Sequence, residues 1–497
     1  MRDAEFLKKQ IAEGGCRIRL TVDAEFIPES GTTYNVVGEI PGRISDECII
    51  YTAHLDHYFR CLQDNMSSCS TLLGIAKAMI DSGYRPDRTI VFAFHGSHET
   101  GGMDTRYPYI FGSYKLTHYS RPEWTGKAIL NINFEYTALR MKKLQVAAYP
   151  AVNSMYASYF PYSPELTGGG FSAKEQYPPQ TEYYMLSWSD CISYHDAGIP
   201  TLCNDPISEQ YYEGTGPYVG RDHSNFDNWE IFDADILGDI GRFYGGMGIY
   251  IAGMPYIMLD YTEQTKRIRN EINRQLLNDL DIPCETYFSE VDRLENAAEE
   301  VNRMIREKNE EYIEALSHGL DETEKKRIFD EARKINIKLL AAYKEIADDL
   351  DKINAEDFMC LATVKYMQNV GMLMDVKKHI ENGDTDKALE ILIHIDLAAA
   401  SLYFDREVVE HMRKQICDPD FIDRRTWAAG RELSVFTYHD LIQAFIDEKE
   451  SGNRFDNTLE LLEKAVETET AMIPRALESE LECIRKVTET ITSAVIG

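Results

Sequence analysis

The sequence lacks a long apolar stretch. Across its 497 residues, no run of about 18 uncharged apolar residues occurs, so no membrane-spanning helix is predicted. The opening residues, MRDAEFLKKQIAEGG, are typical of a charged amphipathic helix and lack the apolar core of a secretion signal. We therefore expect no membrane partner.

Positive charge is also scarce. The chain has 52 lysines and arginines against 83 aspartates and glutamates, which gives a formal net charge of −31. An acidic surface repels nucleic acid and anionic membranes, so neither is expected as a partner.

Paired cysteines are missing. The ten cysteines are scattered without a CxxC pair or regular spacing. A chain of this size does not need disulfides to be stable, so we expect a cytoplasmic protein with reduced thiols.

Proline and glycine become rare after about residue 255. Of 17 prolines, only Pro283, Pro419 and Pro474 lie beyond Pro255, where long helical patterns rich in Glu, Lys, Leu and Ala take over. The length also exceeds what one ordinary core supports. We predict a lead helix and strand in residues 1–32, a catalytic domain in residues 33–255 and an all-α helical domain in residues 256–497.

The first half alternates short apolar runs with helical patterns. The predicted strands are CRIRLTV (16–22), TYNVVGEI (33–40), ECIIYTAH (47–54), RTIVFAF (88–94) and KAILNINF (127–134), and residues 70–83 have helical spacing. Continuous apolar strands separated by helices predict an α/β fold, with a mostly parallel mixed sheet sandwiched by helices. Sites in such sheets form at the carboxyl ends of the strands.

Ionisable residues stand at those strand ends. His54 closes one strand, and Asp56 lies on the same side, where its carboxylate could accept the N–H of His54. Asp64 follows in a polar loop, where a helix cap is the simpler interpretation. Each residue alone would more often be structural.

Two further strands and one loop repeat this pattern. The strand 88–94 runs into His95-Gly96-Ser97-His98-Glu99, the strand 127–134 delivers Glu135, and His223 precedes an apolar helix at 230–251. Several strand or loop ends that each offer a metal ligand make coincidence a poor explanation.

The ordered motifs resemble the M28 family of zinc aminopeptidases and carboxypeptidases over about residues 30–255. The resemblance is carried by six motifs: His54-Leu55-Asp56, Asp64-Asn65, Gly96 to Gly101, Asn133-Phe134-Glu135, Ser189-Asp190 with Gly198-Ile199-Pro200, and His223 to Asp227. Each motif is weak alone, and their order makes them specific.

The resemblance implies a two-metal site. It places His54 and Glu135 on one metal ion, Glu99 and His223 on the other, and Asp64 between them. The same comparison makes Asp56 and Asp227 carboxylates that support the ligands. Imidazole and carboxylate ligands suit two Zn²⁺ ions, although Mn²⁺ or Co²⁺ also fits.

Three positions depart from the family. His98 stands where active members have the general-base Glu, Asp222 replaces a tyrosine that can stabilise the oxyanion, and Glu135 replaces an Asp. Two nearby cations weaken an imidazole as a base. His98 is still the predicted catalytic residue, relaying a proton.

The expected function is a metal-dependent exopeptidase. An acidic site suits a free α-amino group, so we predict a zinc aminopeptidase that hydrolyses N-terminal peptide bonds with a bridging hydroxide on two metals. Tyr183, Tyr184 and Trp188 are candidates for an aromatic pocket. The alternatives are a metal-binding homologue, catalytically impaired at His98, that acts as a binding or assembly protein, and another amide hydrolase or acyltransferase.

Two segments indicate how the predicted catalytic domain is flanked. The segment MPYIMLDYTEQTKRI resembles the entry to the helical dimerisation domain of the transferrin-receptor and glutamate-carboxypeptidase branch, which implies a homodimer. The opening helix and CRIRLTVDAEF resemble the segment that leads into the catalytic domain in members with an inserted protease-associated domain, which is absent from this sequence. Either this lineage lacks that domain or the sequence begins downstream of a longer N-terminus, so a secretion signal upstream stays open.

Overall fold

The computed structural model describes most of the chain. The described residues are 2–19, 21–23, 25, 31–100, 109–139, 146–164, 181–182, 189–204, 221, 223–354, 359–417, 433–452 and 454–496. None of the helices in these ranges combines the length and the apolar character that crossing a membrane requires.

The first half is organised around a mixed sheet of seven strands. In chain order, the strands are β1 Val36–Ile40, β2 Cys48–His54, β3 Thr89–His95, β4 Ala128–Phe134, β5 Val146–Ala148, β6 Thr181–Glu182 and β7 Thr201–Asn204. Their spatial order is β1-β3-β2-β4-β7-β5-β6. Strands β3, β2, β4 and β7 run parallel, whereas β1 and β5 run antiparallel to their neighbours β3 and β7.

The helices lie before, between and after these strands. Within the described residues they are α1 Arg2–Ala12, α2 Ser68–Asp81, α3 Phe111–Lys115, α4 Asn153–Ala157, α5 Cys191–Asp196, α6 Ala234–Gly253, α7 Thr262–Glu271, α8 Arg274–Asp279, α9 Glu285–Ser317, α10 Glu322–Glu345, α11 Ala362–Glu381, α12 Thr385–Leu392, α13 Ala400–Tyr403, α14 Arg406–Cys417, α15 His439–Ser451 and α16 Asp456–Ile496. A short ribbon of β8 Lys352–Ile353 and β9 Met359–Cys360 interrupts the helical half.

Strand β2 is covered on both faces. All seven of its residues are buried. Ile49 and Tyr51 belong to a core shared with α2 and α6, whereas Ile50 belongs to a second cluster with Tyr194 of α5. Alternate side chains of one strand thus enter two cores, which explains why its sequence is apolar throughout. The predicted α/β class followed by a helical region is confirmed.

One predicted strand is wrong. Residues 16–19 and 21–22, the described part of CRIRLTV, form no strand, and they are exposed. A strand needs hydrogen-bonding partners, and sequence 16–22 has the composition of a strand without a neighbour to pair with in the described residues.

The helical half packs directly on the sheet half. Arg267 of α7 donates a hydrogen bond to Asp351 at 2.7 Å, and the other carboxylate oxygen of Asp351 lies 3.2 Å from Nε2 of His195 in α5. All three side chains are buried. A buried charge is stable only with a partner, so this network ties the orientation of the helices to the sheet.

Candidate metal centre

Three neighbouring parallel strands bring three of the five candidate ligands to one edge of the sheet. His54 is the last residue of β2, Glu135 directly follows β4, and Glu99 lies four residues beyond the end of β3. Strand β2 pairs in parallel with both β3 and β4. Parallel pairing brings their carboxyl ends together, so residues far apart in sequence become neighbours.

Asp64 lies between two histidines. Its Oδ1 is 3.0 Å from Nε2 of His54, and its Oδ2 is 3.1 Å from Nε2 of His223. One carboxylate therefore offers a different oxygen to each imidazole. The structure thus places Asp64 between His54 and His223, and its role as a bridging metal ligand stays a prediction.

Each histidine also faces a second carboxylate. Oε2 of Glu135 is 3.5 Å from Nε2 of His54, and Oε1 of Glu99 is 3.4 Å from Nε2 of His223. The five predicted ligands thus form two groups that share Asp64. One nitrogen of His54 and one oxygen each of Asp64 and Glu99 all lie within 4.8 Å of one another, which joins the groups.

These distances fit divalent cations. Zinc bonds of about 2.0–2.2 Å in tetrahedral geometry place ligand atoms about 3.3–3.6 Å apart, close to the observed separations. Nε2 of His54 and Oε1 of Glu99 are also buried without a hydrogen bond of good geometry among the described residues. Orphaned polar atoms at the centre of a site are the ones that a metal ion would satisfy.

The loop that carries Asp64 is fixed by Asp227. The buried carboxylate of Asp227 accepts hydrogen bonds from the backbone N–H of Gln63, at 2.9 Å, and of Asp64, at 3.1 Å. Asp227 lies only four residues after His223. One short segment therefore carries both the histidine that faces Oδ2 of Asp64 and the carboxylate that holds the backbone of Asp64.

Asp56 has a different contact from the predicted one. Nδ1 of His54 is 2.9 Å from the backbone oxygen of Asp56 and 3.6 Å from its carboxylate. The carboxylate instead accepts the backbone N–H groups of His98 and Glu99, at 3.1 and 3.0 Å. The turn after β3 brings those N–H groups to Asp56, and spacing within the His54-Leu55-Asp56 motif cannot reveal that.

Two side-chain amides donate hydrogen bonds to the carboxylate of Glu135. Both amides belong to the sequence motifs, but the motifs do not reveal this role. Asn65 donates to Oε2 of Glu135 at 2.5 Å, and Asn133 donates to Oε1 at 3.1 Å. Tyr136, whose hydroxyl donates to Oδ2 of Asp64 at 3.3 Å, also supports the site. Each of these residues lies within two positions of a predicted ligand in sequence, which is the only signal that could have found them.

His98 makes two contacts that define its orientation. Its Nδ1 is 3.0 Å from Oδ2 of Asp190, and its ring stacks on that of His54 with centroids 3.8 Å apart and planes 8° from parallel. Asp190 lies in α5's preceding turn, 92 residues away. Spacing could not predict this pair, although Asp190 is part of a recognised motif.

The stacking excludes His98 as a ligand of the ion on His54. A nitrogen of each ring and an oxygen of Glu135 lie within 4.8 Å, as a metal site would require. A metal ion, however, binds in the plane of an imidazole at about 2.0–2.1 Å, and stacked rings are separated by about 3.5 Å. An ion in the plane of His54 is therefore out of reach of His98.

Burial and neighbouring charges shift the pKa values of the ionisable side chains in opposite directions. Burial tends to lower the pKa of His54, but Glu135, Asp56 and Asp64 raise it well above its ordinary value. Burial and the neighbouring His54 tend to lower the pKa of His98, and Asp190 raises it above its usual range. Burial tends to raise the pKa of Asp190, but His98 and His95 lower it. Burial also raises the pKa of Glu135, although His54 and His98 lower it.

The candidate pocket residues and the residue before His223 lie outside the described residues. They are Tyr183, Tyr184, Trp188 and Asp222. The predicted aromatic pocket and the replacement before His223 therefore stay predictions.

Residues 35–245 match the model of peptidase family M28. Over these residues the chain is similar to that family. The resemblance drawn from the six ordered motifs is confirmed, with His98 at the position of the usual general-base Glu.

The chain is also similar to solved structures. A zinc aminopeptidase from Bacillus subtilis is 18% identical, with 43% of this chain and 48% of that chain covered and a TM-score of 0.33. A peptidase M28 precursor from Shewanella amazonensis is 16% identical, with 50% and 51% covered and a TM-score of 0.38. A glutaminyl cyclase from Porphyromonas gingivalis is 16% identical, with 43% and 76% covered and a TM-score of 0.34. The chain spans about half the length of the first two proteins.

Proposed function

We propose that the protein is a metal-dependent exopeptidase and that its specific activity is that of an aminopeptidase. The observation that carries the proposal is the bridging geometry of Asp64, whose two oxygens lie 3.0 and 3.1 Å from different histidines. Membership of residues 35–245 in a peptidase family supports the same reaction class.

Five side chains would hold the metals in this proposal. His54 and Glu135 would bind one ion, His223 and Glu99 the other, and Asp64 both. A pair of divalent cations at such a site supplies an activated water and polarises the scissile carbonyl. Asp227 and Asp56 hold the two ligand loops, so the ligands are in place before substrate arrives.

In this proposal, His98 transfers the proton. Asp190 accepts a hydrogen bond from Nδ1, which fixes the tautomer in which Nε2 carries a lone pair. Because the ring is stacked beside His54, that nitrogen can receive a proton from the attacking water and return it to the leaving amine without occupying a metal position. Asp190 stabilises the protonated ring.

The acidic surroundings favour an amine-bearing substrate. The carboxylates of Asp56, Asp64, Glu99, Glu135 and Asp190 all belong to or adjoin the site. A free α-ammonium group is attracted by such a surrounding, whereas a peptide's terminal carboxylate is repelled. This charge preference is the reason for choosing aminopeptidase over carboxypeptidase.

A second candidate function is a metal-binding homologue that does not turn over peptides. His98 favours it, because an imidazole near two cations would be a weaker base than the carboxylate that active family members have at this position. In that case, the helical half would supply the binding or assembly role.

A peptide digest separates the two candidates. The zinc-loaded protein is incubated with matched peptide libraries that differ only in a free or an acetylated N-terminus, with and without a chelator. The proposal predicts loss of N-terminal residues from the free peptides alone, and no loss with the chelator. Bound metal without cleavage of either library would contradict the aminopeptidase and support the second candidate.

A further inference from the structure

The short helix α5 has contacts with both halves of the protein. It contains only the six residues Cys191–Asp196, and Asp190 directly precedes it. Oδ2 of Asp190 lies 3.0 Å from Nδ1 of His98, so the position of α5 also affects the position of His98. A helix of this length is not stable by itself, and its position therefore comes from tertiary contacts.

The sheet half holds α5 through two pairs of buried side chains. The hydroxyl of Tyr194 is 3.1 Å from Nε2 of His95, at the end of β3, and the hydroxyl of Ser193 accepts that of Ser113 in α3 at 2.9 Å. These contacts join α5 to the elements that precede and follow His98 in the chain.

The helical half holds α5 through His195. Nδ1 of His195 is 2.8 Å from the hydroxyl of Tyr343 in α10, and Nε2 is 3.2 Å from Oδ2 of Asp351. A carboxylate attracts the N–H side of a neutral imidazole, so Nε2 carries the proton and Nδ1 accepts the hydroxyl of Tyr343. All three side chains are buried, and Arg267 supplies the counter-charge of Asp351 at 2.7 Å.

Close packing adds to these polar contacts. The ring of His195 stacks on that of Tyr149, with centroids 3.5 Å apart and planes 4° from parallel. Gly198, two residues beyond α5, has a φ of +77°, and a Cβ added there would lie 2.4 Å from Cδ of Lys344 in α10. The helix α10 therefore lies directly against the end of α5.

We propose that the helical half positions His98 through α5, with Tyr343 and Asp351 as its positioning residues. This inference rests on the proposed function for the role of His98 and gives the helical half a part in it. His195 and Asp190 lie five residues apart, near the two ends of one short helix, so the contacts of His195 limit the movement of Asp190. The imidazole of His98 then keeps the orientation in which Asp190 accepts from its Nδ1.

A double-mutant cycle with His98 tests this coupling in the zinc-loaded protein. Tyr343→Phe removes the hydroxyl that contacts His195 and keeps the ring, so the variant is expected to fold. We expect it to lower kcat for aminoacyl-nitroanilides about three- to tenfold, with KM and zinc content unchanged. In a His98→Ala background, the same substitution should change kcat by less than about twofold, because its effect passes through His98.

Tyr261→Phe is the matched control for Tyr343→Phe. Tyr261 is also buried in the helical half, and its hydroxyl donates to the backbone oxygen of Leu339 at 2.5 Å. Loss of this hydroxyl should lower the free energy of unfolding by a similar amount, since each variant loses one buried hydrogen bond. It should leave kcat unchanged, because Leu339 belongs to α10 and not to α5.

A spectroscopic measurement keeps the inference separate from hydrolysis. Two-bond ¹H–¹⁵N spectra of zinc-loaded protein with ¹⁵N-labelled histidines report which ring nitrogen carries a proton, and they need no turnover. The signals of His98 are assigned from their loss in His98→Gln. We expect a single set of His98 signals with a proton on Nδ1 in wild type and in Tyr261→Phe, and shifted or split signals in Tyr343→Phe and Asp351→Asn.

These measurements can fail independently of the proposed function. Altered His98 signals in Tyr343→Phe and Asp351→Asn support the inference even if no peptide is cleaved. Unchanged His98 signals in both variants overturn it, whatever the protein hydrolyses. A loss of kcat that is equally large with and without His98, or equally large in Tyr261→Phe, also overturns it, because the network would then only stabilise the fold.

Discussion

The imidazole of His98 lies flat against that of His54, with ring centroids 3.8 Å apart and planes 8° from parallel. One ring ends a strand as a candidate metal ligand, and the other occupies the position at which the family has its base. Asp190 anchors the second ring at 3.0 Å. The His at position 98 is therefore held in place by His54 and Asp190. In the proposed reaction, its Nε2 would be the atom that accepts and donates the proton.

Variants of His98 test its role in proton transfer. His98→Ala is expected to lower kcat by about 10²-fold or more, since positioned general acid–base groups contribute about 10²–10⁴-fold. His98→Glu is expected to exceed wild type, because a carboxylate stays a usable base between two cations. The measurement is steady-state hydrolysis of aminoacyl-nitroanilides, with bound metal determined for each variant.

Asp190 provides the control for these variants. In His98→Glu the new carboxylate would face the buried Asp190, and two adjacent carboxylates repel each other. The double variant His98→Glu/Asp190→Asn removes that repulsion and is measured alongside. Equal rates for His98→Ala and wild type, at equal metal content, would contradict the proton-transfer role.

Asp227 is expected to control metal affinity without touching the metal. Its carboxylate holds the backbone N–H groups of Gln63 and Asp64, so Asp227→Ala frees the loop that positions the bridging carboxylate. Loss of such a supporting group typically costs 10–100-fold in metal affinity. Competition with a fluorescent zinc chelator measures the change.

Asp233 supplies the matched control for Asp227. It is the cap of α6 and accepts hydrogen bonds from the N–H groups of Asp235 and Ile236, at 3.0 and 3.1 Å. Asp233→Ala should cost about 1 kcal/mol of folding stability and leave zinc affinity unchanged. If both variants weaken zinc binding equally, Asp227 has no special part in holding the Asp64 loop.

Asp351 is expected to govern part of the acid sensitivity of the fold. Burial tends to raise its pKa, but Arg267 and His195 lower it from 3.8 to about 2. A depressed carboxyl pKa stabilises the folded state above about pH 4, and that contribution is lost as the pH falls towards 2. The lost amount is about 2 kcal/mol, on the scale of about 1.4 kcal/mol per pKa unit.

Urea unfolding at pH 7, 4 and 3 checks this expectation. Asp351→Asn should lose about 3 kcal/mol at pH 7, since it leaves the buried Arg267 with the carboxylate of Glu271 but without that of Asp351, and should show a flatter decline below pH 4. Asp348→Asn, in an exposed pair with Lys344, should stay within about 0.5 kcal/mol of wild type. Parallel declines in wild type and Asp351→Asn would show that Asp351 does not titrate as described.

The strands that carry the site could be predicted from the sequence, because a strand buried on both faces is apolar throughout. Residues 48–54 and 128–134 are apolar throughout and appear as buried strands. Residues 16–22 have a similar composition but no observed strand. Composition reports that a segment could pair, and only the tertiary fold decides whether a neighbour is present.

The same limit applies to the site. The family resemblance implied that Asp64 lies between both histidines, and the parallel strands explain why His54, Glu99 and Glu135 meet at one edge of the sheet. The contacts of Asp56 and Asp190 were not predictable, because each depends on how a turn after β3 folds back. Ring stacking of His98 on His54 likewise depends on side-chain torsions that no motif encodes.

The central claim is that five side chains hold two cations around Asp64. Purified protein equilibrated with zinc and freed of excess metal is analysed by mass spectrometry, together with His54→Ala, His223→Ala and Asp64→Ala. The account predicts about two zinc ions per chain in wild type, about one in each histidine variant and a loss of both in Asp64→Ala. Wild type with one ion or none, or an Asp64→Ala variant that keeps two, would contradict it.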